Sequence, residues 1–199
     1  DADPLMEAGG EFYHEKQRWQ RCGVHTLNNL FQKEVFTKEH FDRIANALAP
    51  GKFLNPHKSM LGTGNYDINV LSMALQEKKY TIKWFDKRKD PSAVNLKVIL
   101  GFIINTKSSR ILWNSYHWFA IKNINNKWYN FDSKKGTPEE FKEGVKGLYG
   151  YLKHILDSGN QVFVVVPDGK ADEVYKKDDI DQATNQMEGL TVKETKADP

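Results

Sequence analysis

Apolar residues recur along this chain with two different periods, and the changes of period divide it into elements. From Cys22 onward, Val24, Leu27, Leu30 and Phe31 return at three- and four-residue steps, which predicts a helix beginning close to Cys22. Thr37 can cap a second helix whose apolar face is Phe41, Ile44, Ala45 and Leu48, and Pro50-Gly51 ends it. Residues 52–65 read as a loop. Its Gly62-Thr63-Gly64-Asn65 close is too weak a signal for a phosphate cradle and suits a turn that needs positive φ. Asp67 then precedes a third helix with Ile68, Leu71, Ala74 and Leu75 on one face, running to Lys78 and Lys79.

After Lys79 the period shortens to two. Tyr80, Ile82 and Trp84 alternate with Thr81, Lys83 and Phe85 in a strand closed by the charged run 86–90 and Pro91. Residues 98–105, VILGFIIN, predict a strand buried on both faces, and residues 106–115 predict a polar loop. Strands at 116–122 and 127–132 follow, joined across Asn123-Ile124-Asn125-Asn126. Asparagine tolerates the left-handed conformations of a tight hairpin turn. A helix over 139–156 carries Phe141, Val145, Leu148, Leu152 and Leu156, and a last strand, QVFVVV, covers 161–166. The organisation expected is a flexible leader at 1–11, a folded domain at 12–168 and a polar, mobile or weakly helical tail at 169–199. Met6 reads as the natural first residue.

Composition narrows the function classes. The chain of 199 residues can bury a full core, and its single cysteine excludes an intrachain disulfide or a multi-thiolate zinc site. The six histidines form no HExxH pattern, so neither a metal nor any other cofactor is expected. With no apolar run of 18 residues and an acidic, not apolar, N-terminus, a soluble monomer in the cytoplasm or nucleus is expected, without a membrane span. Net charge is +3, and residues 169–199 hold five Lys against eight Asp or Glu. The basic surplus elsewhere is spread among acids, which argues against nucleic acid as a partner.

Chemistry centres on Cys22. In the first turn of a helix, unpaired backbone N–H groups and the macrodipole favour a thiolate, although a lone cysteine can equally be a small core hydrophobe. A cysteine nucleophile needs a base, a group to orient the base and donors for an oxyanion. His117 lies on the first strand of the Asn hairpin and Asp132 on the second. A turn centred on Asn125-Asn126 makes paired residues sum to 251, so Asp132 becomes the diagonal, same-face neighbour of His117, and a turn centred one position earlier makes them sum to 249 and face each other directly. An odd loop without a bulge would separate them. Asn130 has the same parity as Asp132 and is a second possible orienter. His25, three residues after Cys22, is a rival base, although nothing near it in sequence stands out as orienting its ring. Gln17, in the segment entering the helix, could supply an oxyanion donor or lie on the surface.

Several of these stretches also carry a resemblance. YHEKQ, the run from Cys22 to Gln32, GTGNYDINV, WFDKRKD, HWFAIK and WYNFDS resemble the Josephin domain, in order, over about residues 12–168. The similarity is nearer to the short Josephin-type deubiquitinases than to the ataxin-3 catalytic domain. It implies an α+β, papain-like cysteine protease fold, in which a helical part carrying the nucleophile packs on a mainly antiparallel sheet carrying His and Asp. The implied activity is hydrolysis of the peptide or isopeptide bond at the ubiquitin C-terminus, with ubiquitin and its chains as partners. A non-catalytic ubiquitin-binding adaptor is the alternative. Position by position, the resemblance makes Cys22 the nucleophile, His117 the base and acid, Asp132 the orienter and Gln17 the oxyanion donor. It places ubiquitin-facing surface at Ile68 and Asn69, and an aromatic that ataxin-3 uses nearby aligns with Lys78 here. Trp118, beside His117, is a candidate wall for the channel that would admit ubiquitin's terminal glycines, or equally a core aromatic.

Overall fold

The computed structural model of the chain describes residues 12–16, 22–51, 55–57, 66–110 and 113–176. The leader at 1–11 and the part of the expected tail from residue 177 onward lie outside these, as does the 62–65 turn.

Three helices come first, α1 (Cys22–Phe31), α2 (Lys38–Leu48) and α3 (Ile68–Glu77). The capping residues are those the sequence indicates. Thr37 accepts from the His40 N–H at the start of α2, and Asp67 accepts from the Asn69 and Val70 N–H groups at the start of α3. Six strands then form one antiparallel sheet: β1 (Tyr80–Trp84), β2 (Gly101–Arg110), β3 (Trp113–Ile124), β4 (Lys127–Phe131), β5 (Glu139–Glu140) and β6 (Gln161–Pro167). Their order is β1-β6-β2-β3-β4-β5. Helix α4 (Gly144–Asp157) lies between β5 and β6 in sequence.

The sheet divides two cores, and strand alternation assigns side chains to them. Ile103, Trp118, Ala120, Phe131, Phe163 and Val165 join the α1–α3 core. Phe102, Ile104, Phe119, Ile121, Trp128, Val162 and Val164 join the α4 core. Apolar groups on both faces of β2, β3 and β6 explain why these strands read as continuous hydrophobic runs. The fold is α+β, as expected.

Four boundaries differ from the sequence reading. The expected strand at 98–105 starts at Gly101, where a Cβ would stand 2.4 Å from the Ile121 carbonyl oxygen and 2.8 Å from Leu30 Cδ1. Backbone approach requires glycine at that point. The expected loop at 106–115 is largely an extension of the β2–β3 ladder, with Thr106 opposite His117 and Lys107 opposite Tyr116. Polar side chains removed the hydrophobic signal there but left the backbone free to pair. The expected helix at 139–156 begins five residues late, because Glu139 and Glu140 pair with Asn130 and Tyr129 as an edge strand. Finally, packed structure continues past residue 168. Val174 is buried, and Tyr175 bridges Val94, so residues 169–176 belong to the folded unit and not to a tail.

Candidate active site

Cys22 is the first residue of α1 and is 3% exposed. Gly23 allows α1 to approach α3, since a Cβ there would lie 3.2 Å from Leu71 Cδ1. Burial pushes the Cys22 thiol up. A hydrogen bond from the Trp118 backbone, the nearby Lys134 charge and the backbone at Gly23 and Cys22 oppose that push without overcoming it. A helix N-terminus alone would have favoured the thiolate. Desolvation wins here because the sulfur faces a core, so the thiolate requires a proton acceptor beside it.

The candidate acceptor, His117, lies on the hairpin. Asn125 and Asn126 take φ of 51° and 65°, and Ile124 opposite Lys127 closes a two-residue loop. Ala120 opposite Phe131 gives the 251 register, so His117 and Asp132 share a face, and His117 Nε2 lies 2.6 Å from Asp132 Oδ1. A carboxylate only accepts, so Nε2 carries the hydrogen and Nδ1 keeps the lone pair. Nδ1 is buried and makes no hydrogen bond. His117 is followed directly by Trp118, whose backbone hydrogen-bonds the Cys22 thiol. Burial alone would raise the Asp132 carboxyl. Hydrogen bonds from His117 and from the Lys134 N–H, 2.9 Å away, hold it below the ordinary carboxylate range.

The other candidate residues fall less simply. Asn130 does not touch the imidazole. Its amide donates weakly to Tyr151 Oη at 3.5 Å. His25 Nδ1 is 2.5 Å from Glu15 Oε2, so an orienting carboxylate does exist for it, ten residues upstream. Gln17 lies outside the described residues. Trp118 is a core residue rather than a channel wall. Its indole N–H donates to the Tyr66 carbonyl at 3.0 Å and its ring packs on Phe163, leaving 4% of the residue exposed. Its main chain, and not its ring, borders the thiol. Ile68 opens α3 and packs partly into the core, Asn69 beside it is exposed, and Lys78 lies over the Phe36 ring.

One arrangement escaped the sequence reading. Residues 12–16 run as a strap across α1. The Tyr13 N–H donates to Gln32 Oε1 at 3.1 Å, and the Glu15 N–H donates to Asn29 Oδ1 at 2.7 Å. Asn28 donates to Glu15 Oε1 at 2.9 Å, and His14 Nε2 lies 3.1 Å from the Lys135 carbonyl. The available signal was the Asn28-Asn29 pair. Asparagine is a weak helix former, and two of them buried in mid-helix need partners outside it.

Among the described residues no group of three or more His, Cys, Asp or Glu could hold a metal, and no helix is long and apolar enough to cross a membrane. Known proteins resemble the chain on both sides of this site. It is similar to a Josephin-like protein of Drosophila melanogaster, 39% identical over 168 residues that cover 77% of this chain and 73% of that protein. Josephin-2 of Homo sapiens is 42% identical over 153 residues, covering 74% and 81%. Ataxin-3 of Homo sapiens is 29% identical over 190 residues, covering 82% and 48%. Residues 17–166 match the Josephin family, and they include Cys22, His117 and Asp132, so the chain belongs to that family.

Proposed function

We propose that the protein is a cysteine-type deubiquitinase, a thiol hydrolase acting at the ubiquitin C-terminus through Cys22, His117 and Asp132. The observation that carries this reading is the buried His117–Asp132 pair at 2.6 Å, with its free Nδ1 one residue from the main chain that bonds the only thiol. Family membership supplies the substrate class.

In this scheme the Cys22 thiol gives its proton to His117 Nδ1, and the thiolate attacks the carbonyl carbon of ubiquitin's terminal glycine. Gln17 and the Cys22 N–H donate to the oxyanion. As the C–N bond breaks, His117 returns the proton to the departing lysine amine, leaving a thioester. A water then loses a proton to His117 and attacks the thioester carbonyl, and the thiol leaves with that proton. Asp132 holds the imidazole in the tautomer these transfers need. Ile68 and Asn69 serve as a ubiquitin-facing contact beside the site.

A second reading has one observation in its favour. Burial raises the Cys22 thiol, which lowers the thiolate population that a nucleophile needs and leaves room for a domain retained for binding. Incubation with a ubiquitin C-terminal electrophile separates the two. The hydrolase forms a covalent adduct that Cys22→Ala abolishes, and it cleaves di-ubiquitin under reducing conditions. Saturable ubiquitin binding with neither adduct nor cleavage would establish the adaptor instead.

A further inference from the structure

We propose, resting on the triad above, that His14 is a positioning residue that holds the Asp132 turn in register with the helix carrying Cys22. The geometry runs in both directions from its ring. A carbonyl only accepts, so the 3.1 Å contact to the Lys135 oxygen places the ring hydrogen on His14 Nε2. Lys135 closes the turn that presents the carboxylate. Its N–H donates to the Asp132 carbonyl at 2.9 Å, and the Lys134 N–H donates to Asp132 Oδ1 at 2.9 Å. The same Oδ1 meets His117. His14 therefore grips the far end of a turn whose near end aims the catalytic imidazole, and its ring lies 6.1 Å from that of Phe131, the last residue of β4.

On the other side, both sequence neighbours of His14 are fastened to α1. Tyr13 exchanges two hydrogen bonds with Gln32, from its N–H and to its carbonyl, each 3.1 Å. Glu15 takes hydrogen bonds from His25 and Asn28 and gives one to Asn29. Phe12 packs on Tyr129 and Phe131, but the strap's hydrogen bond to the turn that sets the carboxylate comes from His14.

Chemistry explains a histidine here. The charged groups around it are Lys16, Asp132 and Glu15, and burial outweighs them to hold its pKa below the ordinary value. His14 is thus neutral while still donating, and it leaves the Asp132 charge to His117. Its Nδ1 is buried with no partner, so a proton added there would have no acceptor.

The test uses the full chain, in which Cys22 is the only cysteine, so alkylation by iodoacetamide reports on that sulfur alone. His14→Leu keeps the bulk and removes the donor. It should lower kcat on a ubiquitin C-terminal amide substrate by about 10- to 100-fold with KM within about twofold, because only alignment is lost. It should also move the pH midpoint of alkylation upward, since the imidazole that takes the thiol proton loses its alignment. His14→Gln, whose longer amide reaches the carbonyl, should recover kcat to within about threefold of the native protein. Should His14→Leu fail to fold, His14→Asn, whose amide is too short to reach, takes its place beside His14→Gln. Unchanged kcat and alkylation profile in the donor-less variant would overturn the inference. So would equal losses in the Gln variant. If the native protein does not turn over ubiquitin substrates, the proposed function fails, and the alkylation profile still decides the role of His14.

Discussion

On the face of the sheet covered by α1, Cys22 sits among Val24, Leu27, Leu71 and Phe41, and Gly23 fits against Leu71. In the β3–β4 hairpin, His117 stands 5.8 Å from the Phe119 ring, and its Nε2 lies 2.6 Å from Asp132 Oδ1. Cys22, the proposed nucleophile, is located by close packing of apolar groups. Its partners are located by ladder register and by directional hydrogen bonds. Packing is spread over many small contacts and tolerates small changes. Register and tautomer are all-or-none, so the second region should fail chemically before it fails structurally.

Asp132→Ala gives the largest expected separation of the two. It should lower kcat by about 10^3-fold, by leaving His117 without an orienter, yet it should shift the denaturant midpoint little. Asp132→Asn refines the point. Both His117 Nε2–H and the Lys134 N–H donate to the same oxygen, so the amide must present its carbonyl there. The loss should then be only about tenfold, the difference between a charged and a neutral acceptor. Steady-state kinetics with parallel chemical denaturation would check both variants. A large stability loss in Asp132→Asn would mean that the hairpin is held by the carboxylate's charge.

Leu27→Ala is the mirror experiment. Leu27 is fully buried beneath α1, and truncation should cost about 2–5 kcal/mol of stability. Activity per folded molecule should fall far less than in Asp132→Ala. Urea titration and active-site counting with an electrophilic probe measure the two quantities separately. If kcat drops as steeply as it does in Asp132→Ala, packing is aligning the site as well as locating it.

What could be read from the sequence follows the same division. The helix at Cys22, its neighbours capped by Thr37 and Asp67, and the Asn125-Asn126 hairpin were all legible because period and turn chemistry are local. Hairpin parity even joined His117 to Asp132 across 15 positions. The protonation bias of Cys22 was not legible, because desolvation depends on what packs over the sulfur. The choice between wall and core for Trp118 was open for a similar reason: its indole partner is the Tyr66 carbonyl, 52 positions away. The polar ladder after Asn105 hid because strand pairing needs backbone groups only. The strap of residues 12–16 hid because its partners are spread over α1 and the Lys135 turn.

Gly23→Ala tests the packing side more gently. The added methyl would meet Leu71 Cδ1 at 3.2 Å, a contact at the end of a flexible side chain that can give by a few tenths of an ångström. A stability loss of about 1 kcal/mol is expected, along with a reduced rate of electrophile capture as the first turn of α1 shifts. A variant as fast and as stable as the native protein would show that α1 has room to spare at its start.

The smallest effect is a dependence of stability on pH. Asp132 has a folded pKa below its unfolded value, so its charged form favours the native state. That contribution is fully present above the unfolded value of about 4, and it is lost as pH falls through the lower folded value. Denaturant midpoints measured from neutral pH downward should therefore drop less steeply in Asp132→Asn, which cannot titrate, than in the native protein. Parallel curves would mean that the hydrogen bonds to Asp132 are as strong when it is protonated. His117 would then be aligned by the shape of the turn rather than by the charge upon it.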